Sequence, residues 1–151
     1  MLFDERDLAE ITSSEFPGER LAACRNPLLA DERTRKRNEL LEATEKKLRK
    51  IQERVRRDKN TLRGKDKIGI AVGKVVNKYK MSKHIETTIT DTDLSFERKT
   101  ENIDAEALLD GIYIVRTNVK PETLDATGAV RAYKDLANVE RAFRCIKTID
   151  L

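Results

Sequence analysis

Residues 31–58 read DERTRKRNELLEATEKKLRKIQERVRRD, and the pattern in this stretch decides the fold class. Leu41, Thr44, Leu48, Ile51 and Val55 recur at steps of three and four, the spacing that lines one face of a helix or a coiled-coil seam. Lys, Arg and Glu fill nearly every other position. Glu42 with Lys46, Glu45 with Arg49 and Glu53 with Arg57 stand four apart in the favourable order for surface pairs on a helix. The stretch predicts a long basic helix over residues 31–60. Its apolar stripe is narrow, so it packs against one partner and keeps its other faces wet. A second copy is one such partner, which would make the chain a helical self-association module pairing through Leu41, Leu48 and Val55.

Upstream, residues 1–30 read as an irregular linker. Phe16-Pro17-Gly18 and Asn26-Pro27 are turn signals, and the two prolines interrupt any long helix. Residues 21–24 between them read as a short strand or a buried turn. Downstream, Leu62-Arg63-Gly64-Lys65 closes the long helix, and residues 68–117 read as a strand-rich insertion. Ile68, Ile70, Val72, Val75 and Val76 are β-branched, although Gly69 and Gly73 weaken a central strand. These glycines are no phosphate loop, because Gly73-Lys74-Val75 lacks the hydroxyl that such a loop needs. Residues 77–80 form a basic patch with an aromatic: a solvated turn, or a grip in which Lys78 and Lys80 hold phosphate while Tyr79 stacks on a base.

Residues 85–89 and 94–97 alternate as strands around the acidic turn 90–93. Residues 104–109 make one or two helical turns ended by Asp110-Gly111. Residues 112–117, IYIVRT, are the clearest strand, and their continuous apolar run predicts a position near a sheet's centre. Pro121 opens a helical region over 122–148, with caps among residues 124–127 and a stripe of Leu136, Val139, Phe143 and Ile146 expected to bury Phe143. The class is therefore α+β: a long charged helix, a few mostly antiparallel strands and a C-terminal helix.

A length of 151 residues suits one modest core. Charged and hydrophobic residues each make up 38% and Trp is absent, so the apolar content is thin for a self-sufficient domain of this size. Either much of the chain is exposed charged helix or it packs on further polypeptide. Cys24 and Cys145 form no C-x-x-C pair and read as reduced thiols, and a lone histidine, His84, cannot build a structural zinc site. The start MLFDERDLAE has no apolar signal region and no run approaches the roughly 18 apolar residues that cross a bilayer. The expectation is a soluble, cytoplasmic protein with no membrane partner. The net charge of +4 conceals an asymmetry: residues 1–32 carry three bases against eight acids, and residues 33–63 thirteen against five. A run of this kind is commonly a solvated helix face, and it is also what a polyanion would feel at close range.

Tyr133, Glu140 and Lys147 are seven residues apart, so on a continuous helix they drift by only about 20° per step and share a face, which Arg144 joins four residues after Glu140. Taken alone, this is an ordinary surface salt-bridge ladder. However, residues 133–147, YKDLANVERAFRCIK, resemble the final active-site signature of DDE-class insertion-sequence transposases: Tyr, two residues, Arg, three residues, Glu, six residues, Lys. Every spacing is kept, and Leu136 stands where the family has arginine. The resemblance extends to PGERLAACRNPLLADERTRKRNELLEATEKKL (17–48), GKDKIGIAVGKVVNKYKMSKH (64–84) and LDGIYIVRT (109–117), covering essentially the whole chain.

The resemblance implies a portion of an RNase H-like α/β fold acting on double-stranded DNA, as a homodimer or synaptic complex in the complete enzyme. In that family three carboxylates hold two Mg2+ (or Mn2+) ions for phosphoryl transfer. Glu140 would be the catalytic glutamate and metal ligand, Lys147 would hold a strand phosphate and Tyr133 would position the backbone. Arg144 or Lys134 would supply the phosphate interaction that Leu136 cannot make. The family places both aspartates upstream of such a segment, and Asp4 and Asp7 read as lying past the second. With Glu140 alone a two-metal cage does not assemble. The isolated chain is expected to be catalytically inert and to hold no metal tightly; a non-catalytic, DNA-binding or regulatory role is the alternative.

Overall fold

A computed structural model describes residues 7–59 and 61–149, with side chains described through residue 146. The chain divides into two compact units, residues 1–30 with 111–151 and residues 31–110, each with its own core. The architecture is mixed α+β, with two small antiparallel sheets. The expectation of one core gives way to two, because the long helix finds cover for its stripe within residues 31–110.

In the first unit, β1 (Leu8–Ile11), β2 (Arg20–Arg25) and β5 (Ile112–Thr117) form a sheet in the order β1-β2-β5, antiparallel throughout. Residues 8–11 and 20–25 are therefore strands rather than irregular linker: both are short, and the alanine pair in β2 hides its alternation. β2 holds the centre, with Leu21, Ala22, Ala23 and Cys24 all buried. β5 pairs with β2 alone among the described residues, and Ile114 is 52% exposed. The prediction that IYIVRT sits centrally is thus corrected; hydrophobicity makes it a strand, but a continuous apolar run does not set strand order. Gly111, just before β5, has φ +79°, and its carbonyl accepts the Asn26 N–H at 2.9 Å. A Cβ there would stand 2.5 Å from the Asn26 carbonyl oxygen.

The Asn26-Pro27 pair is a helix start rather than a free turn. The Asn26 side-chain oxygen accepts N–H bonds from Leu28 at 3.1 Å and Leu29 at 3.4 Å, and Pro27 opens α1 (Pro27–Arg56), where its missing N–H costs nothing.

In the second unit, α1 buries Leu41, Thr44, Leu48, Ile51 and Val55, the stripe read from the sequence, with Leu48 and Thr44 fully enclosed. The Thr44 hydroxyl is satisfied by the Leu40 carbonyl at 2.6 Å. The covering comes from α2 (Lys65–Tyr79) and from β3 (Ile85–Ile89) with β4 (Leu94–Arg98), through Ile68, Val72, Val76, Met81, Ile85 and Leu94. Leu41, Leu48 and Val55 are 1%, 0% and 3% exposed, so self-association through this stripe is ruled out for the folded chain. Residues 65–79 are helix, which overturns the strand-rich reading of this part. Ile68, Val72 and Val76 bury at steps of four while Ile70 is 61% exposed, a helical period that β-branching masks.

The hairpin is fastened to α1 by Gln52 donating to the Leu94 carbonyl at 2.7 Å and by Arg56 pairing with Asp93 at 3.0 Å. Its acidic turn also caps α2, since the Asp91 carboxylate accepts the Lys65 N–H at 3.0 Å. α3 (Thr100–Ala107) follows, and Asp110 forms a buried pair with Arg37 of α1. His84 is 1% exposed in the same unit.

The glycines make one prediction about stability. Gly69 and Gly73 lie inside α2, and a Cβ added at either would meet nothing within 4 Å, so alanine at each should stabilise by about 0.5–1 kcal/mol. Gly111→Ala should instead destabilise by roughly 2–3 kcal/mol, from left-handed strain and the backbone clash together; urea denaturation of the three variants checks both signs. A second prediction concerns pH. Burial holds the His84 pKa below its ordinary 6.5, with the Glu106 carboxylate opposing that shift. The unfolded chain therefore binds this proton more readily, so stability is full above pH 6.5 and falls as the pH drops below it, by at most about 1.4 kcal/mol per pH unit. Glu45 and Glu106, lowered chiefly by bonds to Arg98 and Lys83 respectively, add their loss only below about 4.5. A His84→Leu chain should lack the upper part of this acid limb in stability measured against pH.

Candidate nucleic-acid interface

α4 (Ala126–Ile149) carries the sequence signature, and its start is locally determined. The Asp125 carboxylate accepts the Gly128 N–H at 2.7 Å, capping the helix as the sequence suggests. Ahead of the cap, the Arg20 guanidinium donates to the Val119 carbonyl at 3.1 Å and the Leu124 carbonyl at 2.7 Å and pairs with Glu10, which ties the β5–α4 connection to β2. Val130 then packs on Ala22, Cys24 and Val115, with Ala126, Leu8 and Tyr113 around it.

Beyond Val130 every described residue through Ile146 is exposed. Leu136, Val139, Phe143 and Ile146 are 56%, 49%, 61% and 59% exposed, so the stripe exists but Phe143 is not buried. The reason is reach: a helix of 24 residues extends about 36 Å, whereas a six-residue strand spans only about 20 Å. The sheet supports the first two turns and no more.

Tyr133 and Glu140 lie on this uninterrupted helix, and Lys147 is in its last turn with its side chain outside the described residues. The Tyr133 ring lies 6.3 Å from that of Tyr113, tilted by 32°. Glu140 pairs with Arg144 at 3.6 Å, four residues on and exposed, an interaction of little energetic weight. Among the described residues no three His, Cys, Asp or Glu side chains group so as to hold a metal ion. A lone exposed carboxylate does not fit a Mg2+ or Mn2+ centre, so the donors present here do not make the metal site that the signature implies. Asp4 lies outside the described residues. Asp7 lines a cavity beside Lys134, which is about 9 Å along the helix from Glu140.

That cavity, of about 300 Å3, is the feature the sequence does not disclose. Arg25 from the end of β2 meets Arg131 and Lys134 from α4 there, with the Tyr113 and Thr127 hydroxyls and an apolar floor of Leu8 and Val130. Three cations face one carboxylate, Asp7. Burial pushes the Cys24 thiol in its wall upward, against the opposing pull of the Tyr113 hydrogen bond and the Lys134 charge, which disfavours the thiolate. Lys134 is thus placed among other cations. Arg25 and Arg131 escape a sequence reading because 106 positions separate them in the chain and neither belongs to the signature. Lys78 and Lys80 belong to the other unit. Lys78 stands 5.8 Å over the Tyr79 ring at the end of α2, and Lys80 is its left-handed C-cap.

The Asp125 cap gives a direct test of how α4 is held. Asp125→Ala should cost about 1 kcal/mol in urea denaturation, with loss of helical signal from the frayed first turn. No helix among the described residues is long and apolar enough to cross a membrane. No family model matches the chain, and no curated protein or solved structure compared with it does so either.

Proposed function

We propose that this chain is part of a DDE-class DNA transposase, contributing the helix that carries the final acid of the active site and contacts to the DNA backbone. One observation carries the reading: α4 is a single helix, exposed from Arg131 through Ile146, that keeps Tyr133, Glu140 and Lys147 at heptad spacing with Arg144 between the last two. In this proposal Glu140 is the metal-binding glutamate of the complete centre, Lys147 and Arg144 neutralise strand phosphates and Tyr133 positions the backbone. The antiparallel sheet β1-β2-β5 with α4 seated on it is taken as a portion of an RNase H-like layer. The exposed stripe from Leu136 to Ile146 then has the character of a face that further polypeptide covers.

Because Glu140 has no grouping of carboxylates around it among the described residues, cutting by this chain alone is not part of the proposal. The alternative is a non-catalytic DNA-binding role, and the cavity of Arg25, Arg131 and Lys134 favours it specifically, since its cations neutralise phosphate without any metal.

Duplex binding by fluorescence anisotropy across a salt series tests the shared part. Affinity should fall steeply with salt, and joint alanine substitution of Arg25, Arg131 and Lys134 should reduce the log–log slope by roughly two to three. Glu140→Ala should leave binding unchanged or slightly tighter. Joined to a segment supplying two aspartates, the chain should nick duplex DNA with Mg2+, and Glu140→Ala should abolish it. Undiminished nicking in that variant would remove the catalytic assignment and leave the binding role standing.

A further inference from the structure

The second unit holds a cavity of about 320 Å3, remote in sequence from the α4 signature. Two of its wall residues are almost wholly enclosed, Arg37 at 7% and His84 at 1% exposed. Both carry buried polar atoms with no hydrogen-bond partner among the described residues, Arg37 Nε and the His84 ring nitrogens, of which Nε2 faces the Glu106 carboxylate. Arg37 Nη1 and Nη2 each give one N–H to Asp110, and Nε is the guanidinium nitrogen left with no partner among the described residues. His84 Nε2 lies 2.9 Å from a Glu106 carboxylate oxygen, so Nδ1 is the ring nitrogen left with no partner among the described residues. Unsatisfied buried groups of this kind are uncommon in native proteins, because each forfeits its hydration without a replacement.

The rest of the lining says what would satisfy them. Arg33 and Lys36, about one turn or less before Arg37 on α1, bring two further cations to the same wall. The two carboxylates present are already engaged, Asp110 with Arg37 and Thr34, Glu106 with Lys83 and His84. A cation is therefore disfavoured, and a lining of Arg33, Lys36, Arg37 and His84 suits an anion of phosphate's kind. Leu40, Met81 and Leu109 supply an apolar wall large enough for more than a bare ion.

We propose that this cavity is a phosphate-binding site, with Arg37 Nε and His84 meeting the phosphate oxygens from inside and Arg33 and Lys36 closing over them. The phosphate belongs either to a small phosphomonoester or to a nucleic-acid backbone. The site stands independently of the signature on α4 and of the cavity in the first unit.

His84 is the only histidine, so its ring protons give a single, unambiguous NMR reporter. The intact chain is titrated with inorganic phosphate, with phenyl phosphate and with a short DNA duplex. A saturable shift of the His84 resonances with the small phosphates, weakened roughly tenfold by Arg33→Ala and again by Lys36→Ala, supports the site. Lys50→Ala, exposed elsewhere on α1, should not change it. The same shift produced by the duplex would assign the phosphate to a nucleic-acid backbone; a response confined to the small probes would assign it to a phosphomonoester. Arg33 and Lys36 are exposed, so their variants should fold, which an unchanged His84 resonance in the free protein verifies. Unmoved His84 resonances with every probe, or shifts that the two alanine variants leave intact, overturn the proposal.

Discussion

The seating of Val130 on β2 and β5 is the interaction on which the candidate site depends. Ala22, Cys24 and Val115 offer small side chains at that point, so the helix backbone can come close to the sheet, and the Asp125 cap sets where the helix begins. From Arg131 through Ile146 the helix runs on exposed, with no cover from the sheet. The register of Tyr133 and Glu140 relative to the sheet is consequently fixed from the anchor at Val130, while their surroundings on the far side are left open. A helix held in this way presents its side chains without enclosing them, so no cluster of metal-holding side chains forms around Glu140 among the described residues.

The second unit solves a different problem. α1 is so heavily charged that only a narrow stripe can be buried, and the chain covers it with one helix and one hairpin rather than with another copy of itself. The pairings that hold the cover are polar and specific: Gln52 to a strand carbonyl, Arg56 to Asp93, and Arg98 to Glu45. The enclosed Arg37–Asp110 pair is of another kind. It removes two charges from water, and its merit is to fix the end of α3 against α1, since buried pairs add little net stability while breaking one is costly.

Legibility in the sequence follows how local the deciding physics is. The α1 stripe, the strands around the 90–93 turn and the cap before α4 depend on neighbours within a few residues, and each is where the pattern puts it. α2 reads wrongly as strand because β-branching outweighs a period of four that is present in Ile68, Val72 and Val76. β2 is hard to see since alanines give little alternation, and the centre of a sheet is a property of pairing rather than of composition. The emergence of Phe143 into the open is a matter of helix length against sheet size, which the stripe alone cannot reveal. The cluster of Arg25, Arg131 and Lys134 depends on folding that brings together segments over a hundred residues apart, and no spacing rule reaches that far. The seven-residue spacing of Tyr133, Glu140 and Lys147, by contrast, sits entirely within one helix and can be read directly.

Cys24 is sealed at 2% exposure in the first unit, while Cys145 is exposed and residues 31–110 contain no cysteine at all. The thiols therefore divide the molecule into chemically distinguishable parts. An alkylating reagent reaches Cys145 at once but reaches Cys24, packed under Val130 in the cavity wall, only when the first unit opens around it, so the rate of its modification times motion of that unit, unblurred by events within residues 31–110.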